Sequence, residues 1–446
     1  MRAPTIGWST NLGRMLEVID GRDQLTPVHI PRPHPVGESA RPEDAVRRIV
    51  DDVRLRGDEA VLHYTESFDK VRLSADDIRI DEGTIRRARS LVRPELIDAL
   101  EVMVERLRET CERQMPEPWL DRREDELVGE LIRPLRRAGI YVPGGRAAYP
   151  SSVVMAAIPA QVAGVEGIAL CSPPGRGGEV PDAVLAACDV VGITEVYRIG
   201  GAQAIAALAY GTASVRPVEK IVGPGNIYVT LAKRAVQGWV GIDAEAGPTE
   251  LVVVADETAS PEVLAADLVA QAEHGPLGTH VLITWIPALA DEVITSLDTQ
   301  VMVHERAEEV ENTLIEGGRA VLVRDAKQAM ETANAFAPEH LELVCAGALD
   351  LLDEVRNAGA VFVGAMSPVP VGDYVAGTNH VLPSGGAARF SSGLGVEHFL
   401  KRIYVSGLEE SALERLAPHV DALAEAEGLH AHARAVNIRL GRETGL

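Results

Sequence analysis

Apolar residues recur at helical spacing near the start of the chain. Between residues 42 and 70 they return every three to four positions, which is typical of amphipathic helices, with an interruption at Arg56-Gly57. A second helical block is predicted from Glu82 to about Met115, where two nearby prolines would end it. The segment PVHIPRPHPVGES before these blocks is rich in proline and lacks periodicity, so it predicts an extended arm.

From residue 139 the pattern changes to short apolar segments that run into Gly or Pro turns. The first series is GIYVPGG (139–145), GIALCSPPG (167–175), EVYRIGGAQA (195–204), EKIVGPGN (219–226) and ELVVVAD (250–256). The second series is THVLITW (279–285), RAVLVRD (319–325), LELVC (341–345) and GAVFVG (359–364). Ala-rich helical segments lie between several of these predicted strands, and this alternation is typical of parallel, doubly wound α/β units.

The C-terminal segment is again predicted to be helical. From about Leu408 an apolar stripe is formed by Leu413, Leu416, Val420, Leu423 and Ala424. The sequence therefore predicts an α/β fold made of two Rossmann-like doubly wound domains, with a helical N-terminal arm and a helical C-terminal tail.

Composition and charge narrow the classes of function. The 446 residues carry 43 basic and 66 acidic side chains, a net charge of −23, and no Lys/Arg block of five or more. Nucleic-acid phosphates and anionic membranes would repel such a chain, so we expect neither as a partner. The longest uncharged stretch, residues 147–165, contains two prolines and a glutamine, so it does not predict a membrane helix.

The cysteines and the N-terminus indicate where the protein works. The four cysteines are scattered without a C-x-x-C pair, which does not suit a disulfide framework. The N-terminal segment MRAPTIGWSTNLGRML lacks the apolar run of a signal peptide. We therefore expect a soluble, cytoplasmic protein.

Two clusters of polar residues are candidates for chemistry in the second half of the chain. Gln271 and His274 are three residues apart at a predicted helix end, where one ligand could meet both side chains, although His274 could also simply cap the helix. Glu339 and His340 are adjacent proton acceptors of different basicity, as stepwise alcohol oxidation and water activation would need. A surface location is the alternative for this pair.

Two further clusters complete the candidate donor set. Asp373 and His380 follow the predicted strand 359–364 in a Gly-rich loop, a position typical of ligand crevices, although an Asx-turn would equally explain Asp373. Glu427 and His432 lie on the predicted tail helix, where solvated charges are the alternative. Taken together, these nitrogen and oxygen donors without thiolate suit Zn²⁺ or a similar divalent ion.

Three Gly-rich turns are candidates for a dinucleotide site. They contain Tyr141, Gln203 and Asn226, and their backbone could approach a dinucleotide closely. No G-x-G-x-x-G follows the first strand of the series and no P-loop is present, so ordinary βα turns explain these segments equally well.

Longer segments carry a resemblance to a known family. The segments GIYVPGGRAAYPSSVVMAAIPAQVAGV, RIGGAQAIAALAYGT, KIVGPGN, QAEHGP, FAPEHLEL, GDYVAGTNHVLP and EGLHAHARAV resemble those of histidinol dehydrogenases, in that family's order and with similar spacing. The resemblance extends from about residue 42 to 440. It implies a first α/β domain with the metal and catalytic residues (41–140 and 250–394), an NAD-binding second domain (141–249), an N-terminal arm (1–40) and a dimerisation tail (395–446).

The resemblance implies a zinc enzyme that oxidises L-histidinol to L-histidine with two NAD⁺ in succession, through a tightly held aldehyde. His340 would take the alcohol proton, and Glu339 would activate water. The implied zinc ligands, which also face the substrate, are Gln271, His274, Asp373 and His432 of the partner subunit in a homodimer with exchanged tails. The other implied contacts are Thr249, His340, His380 and Glu427 for the substrate and Tyr141, Gln203 and Asn226 for NAD⁺.

Two departures from the family's residue pattern and three alternative functions stay open. Thr249 stands where the family often has Ser, and His430 lies close to His432, although the five-residue step from Glu427 favours His432. A related dehydrogenase for another small alcohol, a non-enzymatic metal-binding protein and a metal-dependent hydrolase are the alternatives. The Glu339-His340 pair argues against the second, and the absence of H-E-x-x-H against the third.

Overall fold

The structure is a computed structural model that describes residues 15–33, 42–144, 148–175, 177–244 and 247–442. Predicted segments at 1–14, 34–41, Gly145 and 443–446 lie outside the described residues. The strands are β1 (Glu17–Asp20), β2 (Arg79–Ile80), β3 (Trp119–Arg122), β4 (Glu126–Pro134), β5 (Arg137–Tyr141), β6 (Gly167–Cys171), β7 (Glu195–Tyr197), β8 (Lys220–Val222), β9 (Gly241–Ile242), β10 (Glu250–Ala255), β11 (Thr279–Thr284), β12 (Gly318–Leu322), β13 (His340–Val344), β14 (Ala360–Val363) and β15 (Leu400–Leu408).

Helices connect most of these strands. They are α1 (Pro42–Arg56), α2 (Asp58–Asp69), α3 (Ala75–Ile78), α4 (Glu82–Leu91), α5 (Pro94–Arg113), α6 (Pro150–Ala163), α7 (Asp182–Val190), α8 (Gly201–Tyr210), α9 (Ile227–Val236), α10 (Pro261–Ala272), α11 (Pro287–Met302), α12 (Ala307–Gly317), α13 (Ala326–Phe336), α14 (Val369–Tyr374), α15 (Glu410–Ala426) and α16 (His430–Arg439). Short 3₁₀ helices are formed at Asp350–Glu354, Ala387–Arg389 and Val396–Phe399.

Two six-stranded sheets form the centres of two domains. The first sheet has the order β1-β12-β11-β10-β13-β14 and is parallel throughout. The second has the order β2-β7-β6-β5-β8-β9, in which only β2 is antiparallel. Apart from the edge strands β1 and β2, the chain in each sheet begins at a central strand, adds strands on one side of it and then returns to add strands on the other side. This change of direction falls between β10 and β13 in the first sheet and between β5 and β8 in the second. These are the topological switch points of doubly wound folds, and the predicted fold class is confirmed.

The helices of residues 42–113 pack on the second sheet. On one face, the apolar stripe of α1 (Val46, Ile49, Val50 and Val53) shares a core with α2, α8 and α9. On the opposite face, α4 and α5 share a core with α6 and α7. The structure therefore differs from the predicted grouping of residues 41–140 with the first domain, because the apolar faces of these helices match the helices that flank β5 to β8.

The described part of the N-terminal arm belongs to the first domain. Strand β1 extends the first sheet beside β12, with Glu17 in register with Arg319. Val28 and Ile30 are buried in the same core as β10 to β13. The arm is therefore a packed edge of the first domain. Its described residues are extended, as the proline-rich segment predicted, and contain a strand where the fold-class prediction had a helical arm.

A small third sheet joins the C-terminal tail to the body. Strand β15 pairs antiparallel with β4 from Leu400–Pro134 to Leu408–Glu126, and β3 pairs with the other edge of β4. The tail helices α15 and α16 follow, and Asn437 on α16 donates a 2.7 Å hydrogen bond to Asp421 on α15. None of the helices in the described ranges combines the length and the hydropathy that a membrane span needs.

Candidate active site

The candidate catalytic residues lie where β10 and β13 begin. Glu250 and His340 are the first residues of β10 and β13, Thr249 and Glu339 directly precede them, and Leu251 is in register with His340. The site therefore lies at the amino edge of the first sheet. This differs from the expectation of a crevice at the carboxyl ends of its strands. Asp373, which follows β14 in sequence, returns on α14 to within 3.9 Å of His340.

Glu339 is held in a fixed position by two donors. Its Oε2 accepts a 2.9 Å hydrogen bond from the Thr249 hydroxyl and a 3.0 Å bond from the Glu250 backbone N–H. Only 14% of its side chain is exposed. Burial raises the pKa of Glu339 to about 8, although both hydrogen bonds act in the opposite direction. Glu339 is therefore a stronger base than an ordinary carboxylate once it is ionised.

His340 is oriented as a neutral base. Its Nδ1 lies 3.0 Å from the carbonyl oxygen of Glu250. Because a carbonyl can only accept, Nδ1 carries the proton and Nε2 keeps a free lone pair. That Nε2 is buried and has no hydrogen-bond partner among the described residues. Burial lowers the pKa of His340, which favours the neutral imidazole.

Two of the predicted metal ligands lie beside His340, and a third follows one of them in sequence. The Gln271 amide donates to the Thr249 hydroxyl and lies 3.4 Å from His340 Nδ1. Asp373 Oδ1 lies 3.9 Å from His340 Nε2. His274, just beyond the end of α10, is close enough to influence the pKa values of His340 and Asp373.

The chemistry of these donors fits a zinc ion in part. An amide oxygen, an imidazole and a carboxylate are a nitrogen and oxygen set that suits Zn²⁺, and the unpartnered His340 Nε2 faces the same space. No group of three or more His, Cys, Asp or Glu side chains that could hold a metal is formed within the described ranges. Of the four predicted ligands, Gln271 and Asp373 therefore lie beside His340, and His274 follows Gln271 just beyond the end of α10.

His380 lies at the contact between the two domains. Its Nδ1 donates to the Asp373 carbonyl oxygen over 2.9 Å, and its Nε2 lies 3.4 Å from the Ser152 hydroxyl of α6. Burial lowers the pKa of His380 to about 4, so the imidazole is neutral at pH 7. The neighbouring Asn379 donates a 2.8 Å hydrogen bond to the Met155 carbonyl oxygen. The site of the first domain thus meets the start of α6 in the second.

The second domain has a large cleft at the carboxyl ends of its strands. The cleft has a volume of about 780 Å³ and lies at the β5/β8 switch point. Tyr141, Gln203 and Asn226, the three predicted cofactor residues, all line it. The Tyr141 hydroxyl accepts a 3.1 Å hydrogen bond from the Gly201 N–H, whereas the buried Gln203 Oε1 has no partner in the described structure.

The turns around this cleft are fixed by glycine and by a buried ion pair. Gly201 has φ +62°, and a Cβ there would lie 2.8 Å from Gln203 Oε1, so only glycine fits without strain. Lys233 and Asp243 form a buried ion pair behind the turn that follows β8. Asp243 accepts a 2.7 Å hydrogen bond from the Gly223 N–H, and Lys233 donates a 3.0 Å bond to the Gly223 carbonyl oxygen.

The tail residues are separate from this constellation within one chain. Glu427 directly follows α15, His432 lies on α16, and both are exposed. Across the described structure, no hydrogen bond or ion pair joins either residue to Gln271, His274 or Asp373. If the tail contributes to a site, the site belongs to another copy of the chain.

Sequence reasoning missed the residues that support the catalytic pair. The Glu250 carboxylate is 3% exposed and accepts 2.5 and 3.3 Å hydrogen bonds from Arg32 of the arm. Arg32 also donates a 2.7 Å bond to the Phe336 carbonyl oxygen and stacks on the Phe336 ring at 3.8 Å. A charged residue at the first position of the buried strand ELVVVA could have indicated this role, because such residues are rarely buried without a partner.

Two doubly wound α/β domains, with a large cleft at the carboxyl ends of the strands in one and a buried Glu-His pair in the other, are the architecture of a two-domain oxidoreductase. A family model described as histidinol dehydrogenase matches residues 34–440. The chain therefore belongs to the histidinol dehydrogenase family, and the resemblance seen in the sequence is confirmed.

Individual proteins of this family are similar to the chain in sequence and in structure. A histidinol dehydrogenase of Synechococcus sp. is 46% identical over 398 residues, which cover 89% of this chain and 92% of the relative. One from Geobacillus kaustophilus is 47% identical over 397 residues, with 89% and 93% covered. The crystal structure of histidinol dehydrogenase from Elizabethkingia anophelis is similar with a TM-score of 0.89 at 34% identity, covering 96% of this chain and 98% of that chain.

Proposed function

We propose that this protein oxidises L-histidinol to L-histidine through histidinal in the last steps of histidine biosynthesis, with two NAD⁺ and a zinc ion. The observation that carries the proposal is the convergence of Glu339, His340, Gln271 and Asp373 at the amino edge of β10 and β13. Relatives named histidinol dehydrogenase, at 46–47% identity, support the choice of substrate.

His340 would act as the base in the alcohol oxidation. Its Nδ1–H donates a hydrogen bond to the Glu250 carbonyl oxygen, so Nε2 is free to accept the hydroxyl proton of the substrate. A well-placed base of this kind accelerates a reaction by roughly a hundred- to ten-thousand-fold. Tyr141, Gln203 and Asn226 would hold NAD⁺, which would supply the acceptor for the hydride from the carbon that carries the hydroxyl.

Glu339 would act in the second oxidation. Histidinal must gain a water oxygen before a second hydride can leave, so a base that removes a proton from water is required. The Thr249 hydroxyl and the Glu250 N–H both bind Oε2, which leaves Oε1 of Glu339 for that water. Two bases at one site keep the reactive aldehyde in place between the two steps.

Zinc would serve to position the substrate at this site. Gln271, His274 and Asp373 would hold it together with His432 of the partner subunit, and the bound ion would orient the substrate's imidazole and amine. Thr249, His380 and Glu427 would contact the substrate beside these ligands. Tyr141, Gln203 and Asn226 would contact NAD⁺ in the cleft that they line.

The proposed assembly is a homodimer with exchanged tails. The tail is joined to its own body through β15 and β4, and its helices expose large apolar side chains such as Leu423 (64%) and Ile438 (59%). A second subunit could cover these side chains while it receives Glu427 and His432. The cytoplasmic location stays a prediction, consistent with four cysteines that are all unpaired.

Steady-state formation of NADH from L-histidinol tests the substrate. We expect two NADH for each histidinol consumed by the zinc-loaded protein. Turnover of another small alcohol together with none of histidinol would refute the substrate and favour a related dehydrogenase.

Two variants separate the roles of the catalytic pair. Glu339→Gln should lose the oxidation of added histidinal, and His340→Asn should lose the oxidation of histidinol, while both keep zinc content close to that of the wild type. The exposed His63→Asn and Glu331→Gln are matched controls that should keep full activity. Full activity of both site variants would contradict the proposed mechanism.

A further inference from the structure

One wall of the second-domain cleft carries an unpaired carboxylate. Asp69, the last residue of α2, lines the cleft, and its Oδ2 is buried without a hydrogen-bond partner in the described structure. Burial raises the pKa of Asp69 to about 6. Buried carboxylates normally have partners, so this one is suited to a ligand that brings hydroxyl donors.

The location of Asp69 indicates which part of a dinucleotide it would meet. The first domain packs its segment around Val381, Val396 and Phe399 on the α5/α6 face of the second sheet, and His380 meets Ser152 on that side. Helices α1 and α2 pack with α8 and α9 on the opposite face. Because the reacting end of the dinucleotide must point towards His340 in the first domain, Asp69 lies towards the other end, which is the adenosine half.

The usual acidic residue of dinucleotide folds is missing from its usual position. In a Rossmann unit, a carboxylate at the end of the second strand binds the adenosine ribose hydroxyls. Here the second strand of the unit, β6, is followed by Ser172-Pro173-Pro174, without a carboxylate. Asp69 is the one carboxylate among the described residues that line the cleft, beside the apolar surfaces of Ile49 and Phe68.

We propose that Asp69 binds the hydroxyls of the adenosine ribose and makes the cleft selective for NAD⁺ over NADP⁺. The inference rests on the proposed use of NAD⁺. A carboxylate accepts hydrogen bonds from both ribose hydroxyls, whereas it repels the 2′-phosphate of NADP⁺. Asp69 is then a specificity residue supplied by the N-terminal helices, outside the strands that form the rest of the cleft.

The test compares Asp69→Asn with the wild-type protein in direct binding of NAD⁺, NADP⁺ and nicotinamide mononucleotide by isothermal titration calorimetry. We expect the ratio of NAD⁺ to NADP⁺ affinity to fall by about ten- to a hundredfold, since charged hydrogen bonds and charge repulsion are both lost. Binding of the mononucleotide, which lacks the adenosine ribose, should not change. Glu66→Gln, an exposed acid on the same helix, is the matched control and should leave the ratio unchanged.

Thermal unfolding provides an independent measurement. Asp69→Asn removes an uncompensated buried charge, so without cofactor it should unfold at the same temperature as the wild type or higher, while the stabilisation by NAD⁺ shrinks. An unchanged affinity ratio, or equal losses for NAD⁺ and the mononucleotide, would overturn the role of Asp69 while leaving NAD⁺ use intact. If the wild type binds no NAD⁺, the proposed function itself fails, and this inference fails with it.

Discussion

Replacing Arg32 by methionine should destabilise the first domain and slow catalysis together. The guanidinium binds the Glu250 carboxylate, whose side chain is 3% exposed. The backbone of Glu250 in turn holds both catalytic residues, through its N–H to Glu339 and its carbonyl to His340. Loss of Arg32 therefore leaves the buried Glu250 carboxylate without its partner, in the residue whose backbone holds the catalytic pair.

The magnitude follows from the burial of the two partners. Removing one member of a fully buried ion pair costs about 3–5 kcal/mol. Arg32 is 27% exposed, and some water can reach the vacated space, so we expect about 2–4 kcal/mol. A displacement of about 1 Å at a reacting group can cost roughly a hundredfold in rate, so kcat should fall by about ten- to a hundredfold.

The assay compares Arg32→Met, Glu250→Gln and the double variant in thermal unfolding and in histidinol turnover. The double variant should recover most of the lost stability, because the unpaired charge is then gone. Arg22→Met, which removes an exposed ion pair with Asp20 in the same segment, should cost much less stability than Arg32→Met, because exposed ion pairs are screened by solvent. The reasoning is refuted if Arg32→Met costs no more than Arg22→Met, or if the double variant is no more stable than Arg32→Met.

Three further predictions follow from buried groups. Lys233→Met should raise the KM for NAD⁺ and lower the free energy of unfolding by about 3 kcal/mol, because Asp243 loses its buried partner behind the turn that follows β8. An unchanged KM would contradict this prediction. Gly201→Ala should weaken NAD⁺ binding about tenfold in titration, because the residue has φ +62°. Burial beside Asp267 raises the pKa of Glu342, so its stabilising contribution is complete below the unfolded pKa of about 4.3 and is lost as the pH rises. Glu342→Gln should therefore raise the unfolding temperature at pH 8 much more than at pH 5.

Local patterns were enough to predict most of the elements. The apolar pattern predicted an interruption at Arg56-Gly57, and the structure separates α1 from α2 there, with Gly57 at φ +59°, which glycine tolerates. The strands of both six-stranded sheets that bear the site are buried apolar runs, and a parallel sheet makes such runs easy to recognise. The small third sheet was not predicted, since β4 is half exposed and its partner β15 lies far away in the sequence.

The sequence predicted the side chains of the site, but it did not predict the groups that hold them in position. Glu339 and His340 carry a chemical pattern that a sequence can display. The backbone groups of Glu250 that hold them leave no trace in the sequence, because any residue has an N–H and a carbonyl. Arg32 comes from the opposite end of the chain, and only the folded arrangement brings it to Glu250.

The placement of the catalytic pair at the amino edge of the first sheet has a consequence for protein engineering. None of the proposed catalytic or metal-binding residues lies at the carboxyl ends of β10 or β13, where the turn around Gly347 is exposed. Exposed turns tolerate inserted sequence well. A reporter or affinity domain inserted at that turn would sit on the side of the sheet away from the chemistry, and the recombinant enzyme should remain active.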